Sequence, residues 1–420
     1  METDDALAGA RDSRQLKLLV ILLAGFGAIS TTLFLPSLPA IQEELGASVN
    51  QTQLTLSVFF YGFAVSQLIV GPLADRFGRR KVALGGCALY ALAGLACAVA
   101  PDIETLVAAR LVQSMGACTG AVISRAIVRD LYGREEGARM MARLTMIMAL
   151  TPGIAPILGG QIEVWLGWRF AFVFMTLFGG GLCLWLWTGL IETNRQPDRT
   201  ALRPLSLLRN YGRLLRDPVY LGFALCTACI FSGQFAFLSG SSFVLIELFG
   251  IAPDSFGYYY FVVVVSYSLG ALVAPPVTKR LGIERSVLSG VLFTVASGLA
   301  LGGLALGRVD LVLAVVVPML CFEIGFGILH PNSVAGALAA FPQMAGTASA
   351  LMGFLQMSVA ATAGLAVSGF HDGTQRPLAL TVAALGCLAF AGFFALTWPR
   401  RAESARSGSA RSGSARTGDG

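Results

Sequence analysis

Charged residues are scarce in this 420-residue chain: they make up 13% of the sequence, whereas 55% of its residues are hydrophobic. A soluble domain needs about 25% charged residues to keep its surface in water. The composition therefore excludes an ordinary soluble globular protein. The missing polar surface indicates that much of the chain faces lipid, so the bilayer is its first predicted partner.

The residue clusters on which enzymes depend are also missing from the sequence. It has two histidines, no metal-ligand cluster, no nucleophile–base pair and no phosphate-binding Walker loop. We therefore expect no metal, no cofactor, no enzymatic activity and no ATP-driven pumping. Its eight cysteines lie within apolar runs, as small buried hydrophobic residues do. The formal net charge of +6 does not indicate nucleic-acid binding, because the basic residues are spread between hydrophobic segments.

Twelve apolar runs dominate what remains, and each has about the 20 residues that a helix needs to cross a bilayer. They form one group of six, a polar gap and a second group of six. The sequence thus predicts an all-α integral membrane protein of twelve transmembrane helices in two pseudo-symmetric halves. We expect it to be a monomer. The runs cover residues 18–39, 53–72, 82–100, 103–124, 140–162, 168–191, 219–244, 256–276, 286–307, 311–331, 346–368 and 377–397.

The basic residues predict how the chain lies in the membrane. Of its 30 Lys and Arg residues, 26 fall in the termini, the central gap and alternate loops, counting Arg143 at the start of the fifth run with the loop before it. Cytoplasmic loops hold such an excess, so we expect both termini in the cytoplasm of a bacterial inner membrane. The predicted units are a cytoplasmic arm (1–17), an N-terminal half (18–191), a cytoplasmic linker (192–218), a C-terminal half (219–398) and a flexible basic tail (399–420).

The linker contains an amphipathic pattern in which leucines and Tyr211 alternate with arginines. Leu208, Tyr211 and Leu215 share one helical face, opposite Arg209 and Arg213. This pattern is typical of a helix at the anionic inner surface of a membrane. The alternative is a linker helix that is simply solvated.

The loop after the second run carries the strongest local motif. Gly71 and Asp75 are four residues apart and share a helix face. Gly71 allows another helix to approach closely, Asp75 can accept hydrogen bonds from a helix N-terminus or pair with a basic residue across the halves, and Gly78 permits the turn. A loop that only sets topology is the alternative, but it explains the arginines and not Gly and Asp. The predicted conformational-switch residues are Gly71, Asp75, Arg76, Gly78, Arg79 and Arg80.

A related segment follows the eighth run, where Pro276, Arg280 and Gly282 repeat the spacing of Pro72, Arg76 and Gly78. Internal repeats of this kind build many secondary transporters, whose binding site lies near the midplane between the repeats.

The motif at residues 71–80 resembles the signature loop of the major facilitator superfamily, and the layout of six plus six helices agrees. More narrowly, the chain resembles the bicyclomycin-resistance (Bcr/CflA) branch of drug:proton antiporters. The stretches that carry this narrower resemblance are 35–39, 125–132, 237–240, 256–259 and 341–350. It implies the major facilitator fold and proton-coupled export of small amphipathic drug-like molecules by alternating access. The alternative is a member that exports or imports a metabolite such as an amino acid or a sugar derivative.

The fifth run resembles the antiporter motif of drug exporters, with Thr151 and Ala155 in place of two glycines. Thr151, Ala155 and Gly159 are spaced by four and form one small-residue face, which favours close helix packing. The residues matched to this motif are Thr151, Pro152, Ala155, Pro156, Gly159 and Gly160.

Candidates for proton coupling are Arg110, Glu323 and Asp75. An arginine within a span is costly unless it faces water or a partner, and the resemblance ties Arg110 to proton coupling; the alternative is a side chain that extends to the outer surface. The branch usually has an aspartate where this chain has Thr32. Glu323 is then the only acid deep in a span, and ionised carboxylates are costly to bury. Its alternative is a neutral glutamate that is hydrogen-bonded to the fourth or the eleventh span.

Aromatic and polar side chains within the spans are candidates for an apolar substrate cavity. The predicted set is Phe26, Thr32, Phe34, Tyr61, Gln113, Phe322 and Phe326. His330 is expected either to relay protons or to lie at the cytoplasmic interface.

Overall fold

The computed structural model describes residues 14–194 and 204–397. Within them, twelve helices are long and apolar enough to cross a membrane, which confirms the predicted all-α fold and its helix count. The spans are α1 (Arg14–Thr32, extended by a short helix Leu38–Glu44), α2 (Val49–Phe77), α3 (Arg79–Ala98), α4 (Ile103–Leu131), α5 (Arg134–Leu166), α6 (Trp168–Gly189), α7 (Pro218–Ser242), α8 (Pro253–Leu281), α9 (Ile283–Leu306), α10 (Val312–Ala339), α11 (Ala345–Gly369) and α12 (Arg376–Leu396).

The two halves break their helices at equivalent glycines. Gly78 separates α2 from α3 with φ of 98°, and Gly282 separates α8 from α9 with φ of 80°. A side chain rarely adopts such angles, so glycine is required at both junctions. The repeat seen in the sequence is therefore a repeat of backbone geometry.

Polar caps fix where other spans begin. The Asp102 carboxylate accepts a hydrogen bond from the Thr105 backbone N–H at 2.8 Å, and Asp217 does the same for Tyr220 at 2.7 Å. Such caps satisfy backbone donors that a helix start leaves unpaired. The bond from Thr105 also holds the pKa of Asp102 below its usual value.

The spans differ in how deeply they lie in the bundle. The most buried apolar segments are those of α1, α4, α7 and α10, each 61–72% buried, so these four helices form the centre. Across the halves α2 packs on α11 and α5 packs on α8. The centre of the protein is thus enclosed by matching helices from each half.

The hydrogen bonds between the two halves lie towards one end of the bundle. We call the end with the loops after α2, α4, α8 and α10 the basic end. Four hydrogen bonds join described residues of the two halves, and all lie away from the basic end; we call them the seal. They link Leu35 to Ser242 at 2.8 Å, Asn50 to Ser368 at 2.8 Å, Gln53 to Ser239 at 3.2 Å and Tyr61 to Thr362 at 2.8 Å.

The central linker folds as a helix over Pro204–Arg216, which we call the linker helix. It packs against α7 and α11 with Leu214 fully buried and Tyr211 half-buried, while Leu208 and Leu215 remain exposed. Its apolar residues are therefore divided between the bundle and the surroundings, whereas the sequence pattern assigned them to one membrane-facing side. The predicted tail and residues 1–13 of the arm lie outside the described residues.

Candidate functional site

The loop at Gly78 is held by a carboxylate from the end of α6. Glu192 accepts hydrogen bonds from the backbone N–H groups of Arg79 at 2.8 Å and Arg80 at 3.1 Å. These are the first donors of α3, where a negative charge is favourable. Glu192 therefore fixes the start of α3 to the segment that leads into the linker.

Asp75 pairs within its own half. Its carboxylate lies 2.6 Å from Nη1 of Arg79, whose Nε lies 3.0 Å from Asp130. Of the two partners predicted for Asp75, a helix N-terminus and a basic residue across the halves, neither is its partner in this conformation. The sequence reasoning missed Glu192 and Asp130, although both are acids at the basic ends of spans, where arginines cluster.

Gly71 does not make the predicted close helix contact here. A side chain placed on Gly71 would meet no atom within 4 Å, and the same holds for Gly346 at the start of α11. Farther from the basic end, α2 and α11 do approach, because a side chain on Gly353 would collide with Gln67. The open space at Gly71 and Gly346, together with the contact at Gly353, indicates that α2 and α11 diverge towards the basic end.

Arg110 lies inside the N-terminal half in an aromatic cage. Its guanidinium carbon is 4.2 Å from the ring centre of Phe59, 4.4 Å from Phe34 and 5.8 Å from Phe172. Its Nη1 donates to Gln113 at 2.7 Å, and the side chain is completely buried. The alternative of a side chain that reaches the outer surface is therefore wrong.

No carboxylate of the described chain pairs with Arg110, and its Nε and Nη2 have no hydrogen-bond partner there. Attraction between the cation and the ring faces, worth about 2 kcal/mol when desolvated, partly offsets the cost of burial. The sequence reasoning missed Phe172, which a depth estimate along single helices does not find.

Glu323 lies fully buried in the C-terminal half. Its Oε2 accepts a hydrogen bond from Nε2 of Gln234 on α7 at 3.2 Å, and Oε1 has no partner among the described residues. The expected alternative partners were in the fourth or eleventh span, so the actual partner helix differs. Along the same helix, partly buried His330 shares a hydrogen bond with the Tyr267 hydroxyl at 3.0 Å.

Arg110 and Glu323 belong to separate clusters. The groups that contact Arg110 all come from the N-terminal half, and Gln234 comes from the C-terminal half. The structure therefore does not bring the two predicted coupling groups together.

The small residues of α5 lie where α5 meets two other helices. The Thr151 hydroxyl oxygen lies 3.3 Å from the position that a Cβ atom on Gly25 of α1 would occupy. A Cβ atom on Gly159 would collide with the carbonyl oxygen of Leu33. On the next face, a side chain on Gly160 would collide with the carbonyl of Pro253 on α8. Pro152, Ala155 and Pro156 lie within the same continuous helix. The motif thus packs α5 against its own half and against the other half.

The predicted cavity residues are divided between the interiors of the two halves. Phe26, Thr32, Phe34, Gln113 and Phe322 are almost completely buried, as is Phe326. Phe26 packs on Tyr90 with ring centres 4.0 Å apart, and Thr32 donates to the Ala28 carbonyl at 3.0 Å. Tyr61 is the predicted residue that spans the halves, through Thr362. In the part of the chain that the structure covers, His, Cys, Asp and Glu form no group that could hold a metal ion.

The sequence of this chain is similar to those of known transport and resistance proteins. Residues 20–365 match the family model of the Major Facilitator Superfamily. The chain is 30% identical over 366 residues to the bicyclomycin resistance protein homolog of Haemophilus influenzae, covering 87% of this chain and 92% of that protein. It is 28% identical to multidrug resistance protein D of Escherichia coli, covering 81% and 85% of the two chains.

Solved structures share the fold at low sequence identity. The D-xylose–proton symporter superposes with a TM-score of 0.71 at 15% identity, over 92% of this chain and 97% of that one. A bacterial homologue of the human lysosomal transporter Spinster, in an inward-facing conformation, has a TM-score of 0.71 at 16% identity over the same shares of both chains.

Proposed function

Because this chain belongs to the major facilitator superfamily and is a multi-pass membrane transporter, we propose that it exports small amphipathic drug-like molecules in exchange for protons. The relatives named for resistance to bicyclomycin, to chloramphenicol and to multiple drugs support this substrate class. They cover most of both chains, so the comparison extends over both halves. We further propose that the protein works as a monomer in the bacterial inner membrane.

The observation that carries the proton-coupled part of this proposal is the buried carboxyl group of Glu323. A carboxylate is costly to bury without a charged partner, and the described neighbours offer it one neutral amide, from Gln234. The group therefore favours its neutral form while it is enclosed and can release the proton when water or substrate reaches it. That is the behaviour required of a group that exchanges a proton for a substrate.

The position of the seal supports alternating access. We propose that the basic end is cytoplasmic, as the positive residues predict, so that this conformation admits substrate from inside. Export then requires the seal to break and the basic end to close. On closure, we propose, Asp75 leaves Arg79 and accepts a hydrogen bond at the start of α11, where backbone N–H groups favour a negative charge.

The proposal can be tested by drug susceptibility in a host without its own efflux pumps. Cells that carry the natural protein should tolerate several amphipathic drugs better than cells with an empty vector, and a protonophore should remove the difference. Tolerance that persists with the protonophore would contradict proton coupling. Tolerance to no drug, together with uptake of an amino acid or sugar derivative, would support the metabolite transporter instead.

A further inference from the structure

A basic cavity lies at the basic end, beside the start of α1, the end of α4 and the start of α5. It encloses about 130 Å³ and is lined by Lys17, Tyr132, Glu136, Arg139, Met140 and Arg143. The ammonium group of Lys17 is 3.6 Å from the Glu136 carboxylate and 5.9 Å from the centre of the Tyr132 ring. None of these residues takes part in the transport scheme proposed above.

The charges around this cavity do not balance. Three basic side chains face one acidic side chain, Glu136, which lies beside Lys17. Arg139 and Arg143 are one helical turn apart and exposed, and no described carboxylate lies within ion-pair distance of either. Two neighbouring arginines with no acidic partner among the described residues attract an anion, and their planar groups suit the oxygens of a phosphate.

The helix face above the cavity is apolar and exposed. Arg143, Ile154, Leu158 and Trp165 recur at intervals of eleven, four and seven, so they lie on one face of α5, whereas Ile147 lies beside Gly25 of α1 and is only partly exposed. Ile154 and Leu158 are about half exposed, and Trp165 is 78% exposed. Tryptophan is enriched where a membrane meets water, so Trp165 indicates one boundary of the bilayer. Arg143, at the far end of the same face, then lies at the level of the other layer of headgroups.

We propose that this cavity binds the phosphate group of an anionic phospholipid, whose acyl chain lies along the exposed face of α5. Basic pockets between spans on the cytoplasmic side suit such headgroups. Inorganic phosphate shares the headgroup chemistry but cannot use the apolar face. The apolar face therefore favours the lipid over the free ion.

The test measures the melting temperature of the purified protein in mild detergent with increasing phosphatidylglycerol, phosphatidylcholine or inorganic phosphate. The cavity variant is Arg139→Gln/Arg143→Gln. The control variant, Lys279→Gln/Arg285→Gln, removes two charges at the same end but outside the cavity. Phosphatidylglycerol should stabilise the natural protein and the control, and should bind the cavity variant about 30-fold more weakly. Phosphatidylcholine and inorganic phosphate should leave all three unchanged.

Equal phosphatidylglycerol affinity in all three proteins would overturn the proposal, and so would equal stabilisation by inorganic phosphate. If the double variant does not insert, Lys17→Gln replaces it, with an expected loss of about fivefold. Mass spectrometry of lipid retained by the Lys17→Gln protein gives a second readout. Undiminished retention of anionic lipid by that protein would count against the site.

Discussion

Arg110 is a buried cation whose guanidinium group is held in one position by its neighbours. Rings surround its guanidinium group and Gln113 takes one of its donors, yet two of its nitrogens have no partner among the described residues. A positive charge with no acidic partner among the described residues therefore lies buried inside one half. Its position in the cage depends on the flat shape of the arginine side chain.

We expect Arg110→Lys to abolish transport while the protein still inserts. Lysine keeps the charge but loses the planar group that lies against Phe34 and Phe59 and bonds Gln113, and its ammonium is more strongly hydrated. The measurement is drug efflux together with melting temperature and the amount of protein in the membrane. Normal efflux in Arg110→Lys would show that charge alone matters at this position.

Glu323→Gln should abolish uphill efflux and leave downhill exchange intact. Glutamine has the shape of the protonated acid but cannot release a proton, so the coupled step is removed and the packing is kept. Efflux in vesicles with an imposed pH difference, over several pH units, measures the effect. Glu247→Gln, a second acid in the C-terminal half, is the control. If Glu323→Gln pumps uphill normally, the proton binds elsewhere.

At the scale of helices, close packing of α1 against α5 depends on Gly159. A methyl group there would collide with the Leu33 carbonyl, whereas a methyl group on Gly180 of α6 would meet no atom within 4 Å. We expect Gly159→Ala to lower stability by about 1–3 kcal/mol, the usual cost of overpacking. Gly180→Ala should cost far less. Equal melting temperatures for the two variants would show that α1 moves away without strain.

Asp75→Asn tests the loop between α2 and α3. Asparagine keeps the shape and removes the charge that pairs with Arg79, while Asp130 still holds that arginine. We expect nearly normal insertion and a strong loss of turnover, because the proposed partner at the start of α11 favours a negative charge. The measurement is efflux rate per inserted molecule. A turnover equal to that of the natural protein would mean that this loop only sets topology.

Sequence patterns predicted the helices well because each span leaves a long, independent signal in the chain. The twelve spans and the junction at Gly78 need only local information. The contact of Glu192 with α3 and the cage around Arg110 depend on residues far apart in sequence, so periodicity cannot find them. Gly71 was expected to touch another helix, but no atom of another helix lies near it, because such a contact depends on how the two halves are arranged, which no single sequence pattern encodes.

At the scale of the whole molecule, cysteine labelling tests which end of the protein faces the outside of the cell. In a cysteine-free background, Asp372→Cys, in an exposed loop at the sealed end, should react with an impermeant maleimide from outside the cell. Arg285→Cys, exposed at the basic end, should be protected. Reaction of Arg285→Cys in intact cells would reverse the predicted orientation.

Ser37, completely buried beside the seal, reports on the opening of that end. Ser37→Cys should react slowly from outside in the conformation described here. Its rate should rise under conditions that drive export, since the seal must then break. A rate that never changes during transport would contradict alternating access at this end.

The hydrogen bonds of the seal are one part of what holds the halves together, beside the packing of α2 on α11 and of α5 on α8. A hydrogen bond inside a protein contributes about 1 kcal/mol net, so the four of the seal contribute about 4 kcal/mol. Moving one elementary charge through 100 mV releases about 2.3 kcal/mol. Movement of two charges down a membrane voltage is therefore comparable to the whole seal. A membrane voltage is therefore large enough to offset the hydrogen-bonded part of the contact between the halves.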